Sequence, residues 1–598
     1  MHRHPEPVGS SPVTMFMRNS LALAAGMALL AGCSHQSPGE VAQAPTTVAP
    51  QATQDTQDMQ VTPVAPPVAE ALAPPPAPVP QATAARHQRN KGRAVTVAGN
   101  AYARAHGGYM AHSYALVPAQ ANKFPEGDVN GLKLVAEQPM STFSVDVDTA
   151  SYAYVRRLLS AGTMPPSSAV RVEEMVNYFP YKYVTPTNRA QPFEVTTAVM
   201  PNPWKSDTQL VHIGVRGFDI EAATRPRANV VLLIDVSGSM SGDDRLTLLK
   251  KSFAMFAARL RADDHVSIVA YAGGAQVLLE PTPGSQKDKI VGVINALHAG
   301  GSTAGAEGLQ RAYALAQRNF DKAAVNRVIL ATDGDFNVGI SDPKELEKYV
   351  AAKRKSGVYL SILGVGDGNL NDAMMQRLAQ SGNGNAAYID TLMEARKALS
   401  EELGSTMFPI ANDVKVQVEF NPAQVAAYRL IGYETRMLEK QDFNDDKVDA
   451  GDMGAGHTVT ALYEITPASS AARLVDPLRY QAPANRSRVG TSGELCLVKV
   501  RYKLPGQPDS KLIQHVVQSG SAYTSLAAVP DDQRFAVAVA AFGQRLRSEK
   551  EVGNFSYGAI AELANGARGS DAEGYRAEFV KLVRMADSMS KVSQLGQP

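Results

Sequence analysis

The stretch Val230-Val-Leu-Leu-Ile-Asp-Val-Ser-Gly-Ser239 sets an unbroken apolar run directly before an aspartate and two serines. A strand apolar on both faces belongs in a sheet covered on both sides, which means parallel strands with helices packed above and below. Outward from it the pattern repeats. Residues 245–260 have helical periodicity, 266–271 reads as the next strand, and 276–280 as a short edge strand. Helices follow over 286–297 and 304–319, then a strand at 327–332, a helix near 343–355 and a strand at 358–365. A helix near 370–380, a short strand at 386–389 and a helix over 391–406 complete the alternation. The pattern predicts an α/β domain over 226–408, built on a doubly wound, mainly parallel sheet.

Open sheets of this kind bind ligands beyond the carboxyl ends of their strands. Three loops so placed carry oxygen donors: Asp235-Val-Ser237-Gly-Ser239, Gly300-Gly-Ser-Thr303-Ala-Gly, and Asp333-Gly-Asp335. Carboxylates and hydroxyls are hard donors and suit Mg²⁺, Mn²⁺ or Ca²⁺, not zinc. An isolated Asp-x-Ser-x-Ser caps helices and shapes turns in many proteins; here it follows a buried strand and has two companion loops.

These residues resemble the von Willebrand factor A domain and its metal-ion-dependent adhesion site, with pattern D-x-S-x-S, a distant Thr and a distant Asp. The resemblance implies Ser237, Ser239 and, in one state, Thr303 as direct ligands, with Asp235 and Asp333 acting directly or through water. Neutral hydroxyl ligands leave a cation under-neutralised, with a position open to an outside Asp or Glu. No base sits in the motif to take a proton from bound water, so the expectation is binding rather than catalysis, with Mg²⁺ favoured over Mn²⁺ or Ca²⁺.

The flanks carry a second resemblance. Thr142-Phe-Ser-Val-Asp-Val-Asp-Thr-Ala-Ser-Tyr152, Arg171-Val-Glu-Glu-Met-Val-Asn-Tyr-Phe-Pro180, Val425-Ala-Ala-Tyr-Arg-Leu-Ile-Gly-Tyr433 and Asp442-Phe-Asn-Asp-Asp-Lys-Val-Asp-Ala-Gly451 look like the bacterial YfbK family of A-domain lipoproteins. That gives a small α+β region of YfbK type over 127–225 and a C-terminal α+β domain over 409–598. In the first, a strand is expected at 141–148, a helix at 149–159, a second helix capped by Ser168, and strands at 193–200 and 208–216. In the second, strands at 414–420, 459–465 and 494–503 predict an antiparallel sheet, and helices are expected near 531–547, 556–565 and 571–591.

Ahead of these lies a segment read as targeting, not fold. Arg18 precedes the apolar run Leu21–Leu30, too short to span a bilayer and right for a signal h-region. Leu30-Ala31-Gly32-Cys33 resembles the bacterial lipobox, which implies cleavage before Cys33 and lipid on its sulfur. Ser34 then favours the outer membrane, facing the periplasm, over inner-membrane retention. Residues 34 to about 93 are rich in Pro, Ala, Gln and Thr and cannot offset their ordering entropy by burial. With the Ala- and Gly-rich 94–126 they read as a disordered linker.

Composition limits the alternatives. Formal net charge is +1, which gives no bulk field for nucleic acid. The 2 cysteines, Cys33 and Cys496, exclude a disulfide framework and a Cys-based metal cluster. The expected function is therefore an envelope lipoprotein that binds an unknown envelope protein presenting an Asp or Glu. The rivals are a structural scaffold with a silent site, or an accessory subunit of an enzyme or maturation complex. Four other features are set aside. Asp442-x-Asn444-x-Asp446 opens like a calcium loop, but Lys447 and Met453 fill key positions. Asp146 and Asp148 are read as caps of the following helix, His457 as a strand start and Cys496 as a buried thiol.

Overall fold

Val230, Leu232 and Ile234 enter one apolar core and Val231 and Leu233 another, so the opening strand is buried on both faces as its composition requires. The computed structural model describes residues 122–125, 127–146, 148–187, 190–221, 224–334, 342–402, 407–472 and 493–595. Cys33 and the signal segment, linker residues 34–121 and 126, and Asp335 lie outside the described residues.

In chain order, β1 (Lys133–Leu134), β2 (Met140–Ser144), α1 (Ala150–Ser160), α2 (Val172–Asn177), β3 (Phe193–Pro201) and β4 (Gln209–Gly217) come first. The central segment runs β5 (Arg227–Asp235), α3 (Leu246–Arg259), β6 (His265–Tyr271), β7 (Ala275–Pro283), α4 (Lys287–Asn295) and α5 (Gly305–Arg318). It continues with β8 (Ala324–Thr332), α6 (Pro343–Lys355), β9 (Val358–Val365), α7 (Asp372–Ser381), β10 (Ala386–Ile389) and α8 (Leu392–Arg396). Last come β11 (Pro409–Phe420), β12 (Val425–Ile431), β13 (Met437–Leu438), β14 (Gly451–Gly454), β15 (Thr458–Pro467), β16 (Glu494–Lys503) and β17 (Ser510–Gln518). Helices α9 (Asp531–Leu546), α10 (Tyr557–Asn565) and α11 (Tyr575–Leu595) follow.

Among the described residues the strands form three sheets. The central one has the order β10-β9-β8-β5-β6-β7, parallel except for the antiparallel edge strand β7. Helix α3 covers one face through Phe253 and Phe256, and α5 the other through Leu309 and Tyr313. The chain winds one way from β5 to β6 and the other way from β8 to β10. The order therefore reverses between β5 and β8, where a crevice opens at the carboxyl ends.

The other two sheets are antiparallel and stack as a sandwich, with orders β1-β12-β15-β4-β3 and β13-β2-β11-β16-β17. Val195, Ile213, Val418, Tyr463 and Val498 meet between them. Each sheet mixes strands from before and after the central domain: β4 lies between β15 and β3, and β2 between β13 and β11. The α/β domain is thus inserted into a sandwich whose halves lie on either side of it in sequence. Helices α1, α2, α9, α10 and α11 build a further core on the sandwich around Tyr152, Phe179, Phe535, Phe542 and Phe579.

Several local expectations differ. Asp146 and Asp148 do not cap α1, whose N-cap Thr149 makes no side-chain cap bond. Both carboxylates instead pair with buried Arg436, at 3.1 and 2.7 Å, because a guanidinium taken out of water needs anionic partners. Ser168 lies in a short 3₁₀ turn, Ser167–Ala169, and α2 begins at Val172. The helix expected over 391–406 is α8 followed by a wider-turned segment, Lys397–Glu402. Cys496 is buried, which pushes its thiol up to about 12. Lys415 donates to the carbonyls of Asp442 and Asp445 at 2.9 and 2.5 Å, so the acidic 442–446 loop already faces a cation of this chain. Among the described residues no helix is long and apolar enough to cross a membrane.

Candidate metal centre

Asp235 closes β5 and Asp333 follows β8, so two adjacent strands deliver one buried carboxylate each to the crevice. The parallel register pairs Ile234 with Ala331, which brings the two strand ends level. Asp235 is tightly held. Its Oδ1 accepts the Ser237 N–H at 2.8 Å, and its Oδ2 accepts hydroxyls from Tyr271 at 3.1 Å and Thr332 at 3.3 Å. Thr332 Oγ1 also accepts the N–H of Gly334 at 3.2 Å, which ties the Asp333 turn to the same network.

The hydroxyls come from the two neighbouring loops. Ser237 is buried, Ser239 is exposed, and their Oγ atoms lie 3.1 Å apart. The loop that bears half-buried Thr303 is bonded to the first loop: Gly300 N–H donates to Val236 O at 2.8 Å, and Gly238 N–H to Gly301 O at 3.0 Å. Gly301 has φ +86°, a backbone conformation that favours glycine. The fold thus brings the loops of Asp235, Ser237, Ser239, Thr303 and Asp333 to one crevice.

Electrostatics describe what such a crevice favours. Burial pushes the Asp235 carboxyl above the usual carboxylate range, the Ser237 hydroxyl and N–H pull it back, and the Asp333 charge pushes it up again. Two buried carboxylates at neighbouring strand ends are costly unless a positive charge offsets them. The donor set fits a hard divalent cation, with oxygen donors and no sulfur or imidazole. Among the described residues no group of three or more His, Cys, Asp or Glu could hold a metal. The candidate is therefore the mixed carboxylate and hydroxyl set. Sequence reasoning missed Tyr271 and Thr332, which orient Asp235; as strand residues they carry no motif.

A family profile described as "von Willebrand factor type A domain" matches residues 230–335, one described as "von Willebrand factor" matches 118–212, and "Uncharacterized protein YfbK, C-terminal" matches 405–589. "Uncharacterized protein YfbK" of Escherichia coli (strain K12) is 44% identical over 479 residues, covering 79% of this chain and 82% of that protein. The chain belongs to the YfbK family. "Inter-alpha-trypsin inhibitor heavy chain H3" of Mesocricetus auratus is 25% identical over 258 residues, 40% of this chain and 28% of its own length. The solved "von Willebrand factor type A from Catenulispora acidiphila" shares 16% identity, with 68% of this chain and 92% of that chain covered at a TM-score of 0.37. In this YfbK-family protein the described residues matching the "von Willebrand factor" profile lie outside the central sheet. They supply α1, α2 and strands of the sandwich.

Proposed function

We propose that this YfbK-family protein is a lipid-anchored envelope protein that captures a partner's Asp or Glu through a divalent cation, Mg²⁺ first. One observation carries the reading: buried Asp235 and Asp333 at the switch point of the sheet, beneath a hydroxyl rim that reaches solvent at Ser239. Asp235 and Asp333 would supply the charge that retains the ion, and Ser237, Ser239 and Thr303 its neutral ligands. Bound there, the cation would act as a Lewis acid toward an incoming carboxylate. The rest of the work falls to the chain. Tyr271 and Thr332 fix Asp235, and the bonds between the 236–238 and 300–301 loops hold the rim.

The direct test is calorimetry of Mg²⁺, Mn²⁺ and Ca²⁺ with the full chain and with Asp235→Ala. Binding that vanishes in the variant supports the site, and a metal-dependent pull-down from envelope extracts, lost in Ser237→Ala, then supports partner capture. Equal binding by both proteins, or none by the wild type, sinks the reading. The anchor rests on the apolar run 21–30 and Cys33. Cys33→Ser should lose radiolabelled palmitate and leave the outer-membrane fraction. Retention of label would contradict the anchor.

A further inference from the structure

Residues 122–125 belong by composition to the irregular linker, yet they pack against the loop 366–371 that follows β9. Asn122 gives that contact its whole amide. Its Oδ1 accepts the N–H groups of Gly368 at 3.2 Å and Leu370 at 3.0 Å. Its Nδ2 donates to Asp367 Oδ1 and to the Tyr154 hydroxyl, both at 2.6 Å. An asparagine amide has two acceptor sites and two N–H donors, so all four are in use. Its orientation follows from its partners, since a backbone N–H only donates and a carboxylate only accepts. The main chain adds a second hold. Lys123 N–H donates to Leu370 O at 2.9 Å, and Ala373 N–H donates to Lys123 O at 3.2 Å.

The loop held in this way touches the two chain segments that run on from Asp333 and from Ser239. Gly334, the residue after Asp333, has φ +100° and lies against the loop backbone. A Cβ there would stand 2.6 Å from Asn371 N and 2.7 Å from Asn369 O. On the other side Arg245, at the end of the segment that begins with Asp235 and Ser237, donates through Nη2 to Asp367 O at 2.8 Å. The Tyr388 hydroxyl donates to Gly366 O at 2.6 Å and fixes the start of the loop.

We infer that Asn122 is a positioning residue for the metal centre: it clamps the 366–371 loop, and the loop sets the backbone of Asp333-Gly334. The inference deepens the proposed function and rests on it for its metal readout. Asn122 touches no proposed ligand, so its effect passes through the loop.

The test uses the full chain and Asn122→Ala, with two readouts. Groups that orient ligands from outside the coordination sphere change metal affinity by about 10–100-fold, so the Mg²⁺ dissociation constant should rise by about tenfold. The melting temperature should stay close to wild type, because the removed contacts are peripheral to the cores. Amide hydrogen exchange at Gly334, Asn369 and Leu370 should quicken in the variant without metal. Unchanged exchange at Gly334 overturns the positioning role, whether or not metal binds. Tight Mg²⁺ binding that is equal in both proteins overturns it as well. Faster exchange at Gly334 in Asn122→Ala, beside a wild type that binds no Mg²⁺, would support the clamp while removing the metal reading.

Discussion

What a carboxylate does in this chain is decided by its partner, not by its spacing in sequence. Asp146 and Asp148 sit two residues apart, as an acid pair or a helix cap would, and both serve Arg436. Asp452 shows the opposite case. It lies on β14 against the turn before β10, where its Oδ2 accepts from Asn383 Nδ2 at 2.9 Å. Burial pushes its carboxyl up to about 7, the Asn412 amide and Asp413 N–H lower it, and the charges of Asp413 and Asp449 raise it. The sign follows from linkage. The folded chain holds a proton on Asp452 that the unfolded chain has already released, so its contribution is complete below about pH 4 and is lost as pH rises toward 7. Asp452→Asn keeps the shape and cannot ionise. Its melting temperature should match wild type near pH 4 and exceed it by about 2 °C or more at pH 8. Parallel melting curves across that range would show that Asp452 ionises in the fold at no cost.

At the scale of elements, legibility tracked how completely an element is buried by its neighbours in sequence. Helix α6 and strands β9, β10 and β16 match their expected bounds, since a long apolar run or a full amphipathic period marks them. Strand β17 has no such signal: its edge position leaves Leu512 and Val516 exposed, and its sequence alternates weakly. Strands β3 and β4 were legible as strands, but the pairing of β4 with β15 was not, because pairing across the inserted domain leaves no local trace. The same division holds at the metal centre. Asp235 ends a strand, and Ser237, Ser239, Thr303 and Asp333 stand in short loops after strands or before a helix, where residue type alone carries the message. Asn122 was not legible. It is one side chain in an Ala-rich segment, and its partner Asp367 lies 245 positions away.

The described residues form a sandwich split by an insertion, and their assembly follows from that topology. Residues 409–598 contain most of the sandwich strands, yet β15 in that segment needs β4 on one side and β11 needs β2 on one side. Without them Val459, Ala461 and Tyr463 lose the facing strand, and the helices α9–α11 lose Met175 of α2 and Phe179 just after it. The two points where the chain leaves and re-enters the sandwich are adjacent. Gly217 N–H donates to His457 O at 3.0 Å, and a Cβ at Gly217 would stand 2.6 Å from Ile410 Cδ1. A short flexible linker can therefore replace the α/β domain without stretching either sheet, at a loop-closure cost that grows only slowly with length. Residues 409–598 expressed alone should give no cooperative thermal transition and poorly dispersed amide resonances. Residues 127–217 joined by such a linker to 409–598 should recover a single cooperative melt, lowered by the exposed side of α1 that packs on β10 through Tyr154 and Tyr388. A cooperative melt from 409–598 alone would mean that the antiparallel half folds without its N-terminal strands, and that the insertion arrangement is not what holds the sandwich together.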